Sequence, residues 1–122
     1  MNSVEMTPTK MIKRPGYNAT GMTDDALEFL DSDHGGKPWL CMVSWNPPHS
    51  DFYDAPKWAQ RSLDPADIPL RPNHGEKTRP GAELGDEAGI RRMLHGYQSH
   101  ITAIDRELGR LMKKLEEHLD SI

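Results

Sequence analysis

The sequence has little cysteine, few aromatic residues and no long apolar run. Its single cysteine, Cys41, excludes an internal disulfide and a cysteine-based metal cluster. No apolar stretch approaches the ~20 residues that a membrane-spanning helix requires, and the N-terminus lacks the charged-then-apolar pattern of a signal peptide. We therefore expect a soluble chain with no membrane partner and with no targeting signal that would define its compartment.

The charge balance identifies no partner, but it does exclude one class. Fifteen basic residues stand against nineteen acidic ones, for a formal net charge of −4, and no sustained basic stripe occurs. Nucleic acid is therefore not an expected partner. Ten prolines and ten glycines in 122 residues, with only 35% hydrophobic residues, predict long loops around a modest core.

The first part of the chain is predicted to contain an irregular lead-in, a helix and a strand. Residues 1–22 show no steady period, and a helix is predicted from Thr23, as its N-cap, to about residue 32. Residues 38–45 form a nearly continuous apolar run, typical of a strand buried on both faces in a parallel sheet. Unpaired buried backbone groups cost ~1–3 kcal/mol each, and the sequence offers no adequate second strand. We therefore expect the natural protein to extend beyond this sequence and complete the sheet.

The rest of the chain is predicted to be a long loop followed by a long helix. Residues 46–85 form the loop, at the carboxyl end of the strand, with a short helix at 55–63. Residues 86–120 form the helix, and its apolar stripe consists of Ile90, Leu94, Tyr97, Ile101, Ile104, Leu108, Leu111 and Leu115. This stripe predicts one buried seam, and a coiled coil with the same spacing stays an alternative. Gly96 and Gly109 each cost ~1 kcal/mol relative to alanine, which close packing would explain.

His49 is the candidate functional residue. It follows the predicted strand in the segment Asn-Pro-Pro-His, and ligands of open α/β sheets bind beyond the carboxyl ends of the strands. The two prolines restrict the backbone and so limit where the imidazole can point. Such an imidazole could donate a hydrogen bond to an anionic oxygen or transfer a proton near neutral pH. An ordinary surface histidine is the alternative.

Residues 37–49, Lys-Pro-Trp-Leu-Cys-Met-Val-Ser-Trp-Asn-Pro-Pro-His, resemble the strand and Pro-His element of type I sulfatases. The stretches 23–30, 54–58, 67–73 and 97–111 resemble, in the right order, that family's preceding helix, following loop and long helix. The resemblance covers roughly residues 16–119 and implies part of an alkaline-phosphatase-like α/β domain.

By that resemblance, His49 matches the histidine that contacts the sulfate group of a sulfate-ester substrate. The full-length parent would use a divalent cation, with calcium expected. Asp51 departs from the family, which often has proline at that position. A carboxylate facing the pocket would repel a sulfate, so Asp51 should point away or alter substrate preference.

The family's nucleophile motif and metal ligands are not found in this sequence. Sulfatases convert the first residue of Cys/Ser-x-Pro-x-Arg to formylglycine, but Cys41 is followed by Met-Val-Ser and is predicted to be a buried core thiol. Asp24-Asp25 and residues 32–35, Ser-Asp-His-Gly, mimic metal motifs of the family. The first pair is predicted to open a helix, and the second segment occurs too early in the chain. We assign no metal ligand or cofactor-binding residue and predict that this chain alone is inactive.

The other histidines and the tryptophans are predicted to be structural. His95 and His100 lie about 140° apart around the predicted helix, so they could not share a metal, and each is expected to be a hydrogen-bonded or polar-face residue. The three tryptophans are expected to serve as core or interface bulk.

Two other functions stay open. One is a phosphate or phosphonate monoester hydrolase of the same superfamily, and the other is a non-enzymatic helical module that dimerises through the apolar stripe. The family is compatible with a periplasmic, extracellular or lysosomal location, and the sequence predicts no oligomeric state.

Overall fold

The computed structural model describes residues 3–7, 10–49, 51–60, 64–72 and 86–119. The predicted loop segment 73–85 therefore lies outside the described residues. The chain divides into two compact units: one contains the chain up to Pro47 and from Ala103 onward, and the other contains Pro48 to Thr102.

The first unit begins with an antiparallel hairpin. Strands β1 (Ser3–Thr7) and β2 (Lys10–Arg14) pair in a register that places Ser3 opposite Arg14. The prediction of an irregular lead-in is wrong for this segment. After β2, Gly16 adopts a φ of 104°, a conformation that glycine reaches without steric cost, and the chain turns into the first helix.

Helix α1 (Asn18–Asp31) begins earlier than the predicted start at Thr23. Thr23 is fully buried inside the helix, so the prediction that it is the N-cap is wrong. Its hydroxyl donates to the Ala19 carbonyl at 2.8 Å and accepts from the indole N–H of Trp45 at 3.1 Å. A threonine followed by acidic residues is a local pattern typical of a helix cap. The role of Thr23 depends instead on its long-range contact with Trp45.

The predicted central strand is not present. Residues 38–46 are described and form no strand, and Leu40 and Met42 are 84% and 83% exposed. Only alternate residues, among them Val43, are partly buried against α1, so burial on both faces is wrong. The physical reason is that no described strand pairs with this segment or covers its outer face. The fold class of an α/β domain with one buried central strand is accordingly corrected to a hairpin and two α-helices among the described residues.

Helix α2 (Glu87–Leu119) confirms the predicted long helix. Asp86 precedes it, and its carboxylate accepts a hydrogen bond from the Gly89 N–H at 2.6 Å, as expected for an N-cap. The predicted buried seam is wrong for half of its eight members, because Tyr97, Ile101, Leu108 and Leu115 are exposed. Of the other four, Leu111 is buried and the rest are partly buried. The buried residues of the described helix are Gly96, Ser99, His100, Ala103, Glu107 and Leu111.

In the first unit, α1 packs on the C-terminal half of α2. Ala26, Leu30 and Leu111 form the apolar centre of this contact. Glu107 is also buried there, and its carboxylate accepts from the Thr20 hydroxyl at 2.9 Å. A buried carboxylate is costly unless it is paired, so this contact needs further partners.

Arg110 provides the charge that Glu107 needs. It donates to Glu107 at 2.6 Å and to Asp24 of α1 at 2.6 Å, and the hydrogen bonds to Asp24 and then Glu107 raise its pKa above the ordinary value. One turn further, Lys114 pairs with Asp31, and this hydrogen bond raises the pKa of Lys114. Asp24 is therefore an interhelical ion-pair partner, and the prediction that it lies at the start of a helix is wrong.

The second unit is built from loop segments and the N-terminal half of α2. Short 3₁₀ turns occur at Lys57–Ala59 and Pro65–Asp67, so the described part of the predicted helix 55–63 is a single turn. Arg91 donates to the Ile68 carbonyl at 3.1 Å and holds the second turn against α2. Among the described residues, neither α-helix has a stretch long and apolar enough to cross a membrane.

Candidate functional site

His49 lies in the second unit, directly after a turn at Pro47 and Pro48. Its side chain is exposed, so a ligand could reach the imidazole. Residue 50 lies outside the described residues, and the loop is described again from Asp51 onward. The position of His49 therefore depends on the contacts that fix the loop from Asp51 onward.

His100 of α2 holds the loop that follows His49. Its imidazole is 1% exposed, and its Nε2 lies 2.9 Å from the Asp51 carbonyl oxygen and 3.3 Å from Asp54 Oδ1. With the proton on Nε2, the ring donates to the Asp51 carbonyl and faces the Asp54 carboxylate. The backbone next to His49 is thus tied to a helix, whereas the Asp51 side chain is exposed.

Gly96 allows the same loop to lie directly on α2. A Cβ atom at Gly96 would overlap the Phe52 carbonyl oxygen and lie 2.8 Å from the Phe52 carbonyl carbon. These are backbone atoms, so they could not rotate away as the end of a flexible side chain can. The Phe52 ring also contacts Tyr97, with ring centroids 6.2 Å apart. Close packing explains Gly96, as the sequence analysis expected.

A cavity of about 190 Å³ lies between this loop and α2, within the second unit. The loop contributes aromatic side chains and the helix contributes basic ones. The residues that matter for its chemistry are Phe52, Tyr53, Gln60, Arg92, His95 and Gly96. The sequence alone did not predict this cavity. Its local signal was the glycine in the middle of a helix, but nothing local identifies what packs against it.

The segments that mimic metal motifs have other contacts. Residues 32–35 lead into a turn in which the Lys37 N–H donates to the His34 carbonyl at 3.2 Å, and the His34 ring lies 4.5 Å from that of Phe29. Cys41 is partly buried beside the apolar centre of the first unit. Among the described residues, no three His, Cys, Asp or Glu side chains are gathered in a way that could hold a metal ion.

Comparison with known proteins identifies the family. The sequence model of the sulfatase family matches residues 2–121, which is nearly the whole chain. The chain belongs to the sulfatase family. The resemblance found in the sequence is therefore confirmed.

Sulfatases that have been curated include a related but much longer protein. An ulvan-active sulfatase of Formosa agariphila is 30% identical to this chain over 101 residues. The match covers 82% of this chain and 18% of that relative, so the chain spans less than a fifth of the relative's length. No solved structure matches this sulfatase chain.

Proposed function

We propose that this chain is part of a sulfate-ester hydrolase in which His49 contacts the sulfate group of the substrate. The observation that carries the proposal is the family match over residues 2–121. The exposed imidazole of His49, followed by a loop tied down by His100, supports it. A positioned imidazole can donate a hydrogen bond to a sulfate oxygen and can return a proton to the leaving group.

The nucleophile and the divalent cation belong, in this proposal, to other segments of a full-length parent. Calcium is the cation we propose for that parent. The described residues of this chain do not fit a divalent-cation site, because such an ion needs about six oxygen ligands gathered from several segments. The chain's own role is therefore to contact the sulfate through His49 and to hold the adjoining loop.

The test is hydrolysis of an aryl sulfate by the full-length protein that carries this sequence. Replacing His49 by alanine should lower kcat/KM by about 10²- to 10³-fold, as removal of a single oxyanion contact does. His34→Ala is the matched control, because His34 lies in the turn that mimics a metal motif, and it should leave the rate nearly unchanged. Full activity of His49→Ala would overturn the assigned role.

Two further arms of this assay separate the alternatives. The 122-residue chain alone, supplied with calcium, should give no turnover above that of its own His49→Ala variant. An aryl phosphate offered in parallel distinguishes the sister enzymes, because a higher kcat/KM with phosphate would favour a phosphate monoester hydrolase.

The exposed apolar stripe of α2 favours a second, non-enzymatic candidate. Ile101, Leu108 and Leu115 recur at seven-residue spacing and are all exposed, as a helix that dimerises would require. Sedimentation at several concentrations tests self-association. A folded chain that stays monomeric throughout would remove this candidate.

A further inference from the structure

The cavity on α2 lies beside the loop that follows His49 and belongs to the same compact unit. Phe52 and Tyr53, which line it, come shortly after His49 in the sequence. Its volume of about 190 Å³ is below the ~300–1,000 Å³ of typical small-molecule pockets. Such a space suits one ring or one charged substituent of a larger ligand.

The polar lining of the cavity contains basic side chains and no acidic one. The basic residues are Arg92 and His95. Arg91, the neighbour of Arg92, is engaged with Glu87 at 2.8 Å. Arg92 is exposed and forms no hydrogen bond or ion pair within the described part of the chain. Its planar guanidinium can present two parallel N–H groups to a sulfate or a carboxylate.

The aromatic lining suits the flat apolar face of a sugar ring. Tyr53 is 67% exposed, although large aromatic side chains usually bury most of their surface. Phe52 also lines the cavity, and its backbone is held against Gly96. A rigid wall reduces the ordering that binding would otherwise require.

We propose that this cavity is a carbohydrate subsite for an anionic substituent on a sugar unit other than the one hydrolysed. Arg92 binds the sulfate or carboxylate of that unit, and the ring of Tyr53 packs against the sugar. The proposal rests on the proposed function, and it makes the substrate a carbohydrate with more than one anionic group.

The test is calorimetric titration of the full-length protein that carries this sequence with three disaccharides. One is disulfated, one carries a sulfate and a uronic carboxylate, and one is neutral. The anionic probes should bind more tightly than the neutral one. Arg92→Gln should weaken the anionic probes about 3- to 10-fold, since an exposed arginine contributes less than a buried one. Whichever anionic probe loses more affinity identifies the group that Arg92 prefers.

Matched variants make the result specific. Lys113→Gln removes one exposed positive charge elsewhere on α2 and should leave all three affinities unchanged. Arg92→Lys keeps the charge but loses the planar fork, so its affinity should be intermediate. Tyr53→Ala should weaken the neutral and anionic probes alike. Circular dichroism of each variant confirms that it is folded.

The proposal is overturned if Arg92→Gln binds the anionic probes like the parent chain, or if no anionic probe binds at all. The proposed function is judged separately, by the aryl sulfate assay with His49→Ala. Loss of activity in that assay together with unchanged binding by Arg92→Gln would refute the subsite alone. Arg92-dependent binding without sulfate-ester hydrolysis would refute the sulfatase proposal alone.

Discussion

Replacing Gly96 by alanine should destabilise the protein, although alanine is the better helix former. In an open helix the exchange would stabilise by about 1 kcal/mol. At Gly96, however, the new Cβ would overlap the Phe52 carbonyl oxygen and lie 2.8 Å from the carbonyl carbon. Because those atoms are backbone, the whole loop segment has to move away from α2, and overpacking of this kind costs about 1–3 kcal/mol.

The displaced loop would also weaken the hydrogen bond between His100 and the Asp51 carbonyl, which is worth about 1 kcal/mol. Together these effects predict a net loss of about 1–3 kcal/mol in the free energy of unfolding. Urea denaturation followed by far-ultraviolet circular dichroism measures that quantity directly.

Gly109 in the same helix provides the control. A Cβ there would meet no atom within 4 Å, and the position is exposed. Gly109→Ala should therefore stabilise the protein by about 0.5–1 kcal/mol. The two variants carry the same chemical change and should shift stability in opposite directions. A Gly96→Ala variant at least as stable as the parent would show that the loop does not pack closely against position 96.

Three further predictions concern the contacts that α1 makes with α2 and with the segment that follows α1. Glu107→Gln should lower the free energy of unfolding by about 1 kcal/mol, because Arg110 loses one of its two carboxylate partners but is partly exposed and keeps Asp24. The exposed Glu116→Gln should change it by under about 0.5 kcal/mol. Thr23→Val should cost about 1–2 kcal/mol and alter tryptophan fluorescence, because the indole N–H loses its acceptor, whereas the same change at the exposed Thr102 should leave the fluorescence unaltered. The hydrogen bond to Asp31 raises the pKa of Lys114 above its unfolded value of 10.5. The ion pair should therefore stabilise the protein fully below pH 10.5, and this stabilisation should be lost as the pH rises through the raised pKa. Denaturation of Lys114→Met and the parent over that range should therefore give converging stabilities, and a constant difference would contradict the ion pair.

The long helix illustrates what a sequence can predict about this fold. Apolar residues recur every three or four positions between Ile90 and Leu115. Because this pattern lies within one continuous segment, the helix was predictable from the sequence. The face that α2 buries was not predictable from that stripe. Its buried positions include Ser99, Ala103 and Glu107, because small side chains allow close approach and the glutamate meets a partner arginine and threonine. Those partners depend on the tertiary arrangement.

The strand prediction failed for a related reason. An apolar run such as residues 38–45 indicates a tendency to be buried, but burial requires neighbours, and the described neighbours cover only one side. Thr23 and Asp24 were similarly misinterpreted, because their local pattern fits a helix cap equally well. Their actual partners, Trp45 and Arg110, lie far away in the sequence.

The sequence by itself determined the family, the existence of α2 and the choice of His49 as candidate, because motif order and helical period are properties of the linear chain. Only the tertiary structure decided that His100 and Gly96 hold the loop after His49, and that Arg92 and Tyr53 line one cavity. These groups become neighbours only after α2 has packed against a distant loop, and such long-range contacts leave no periodic signal in the sequence.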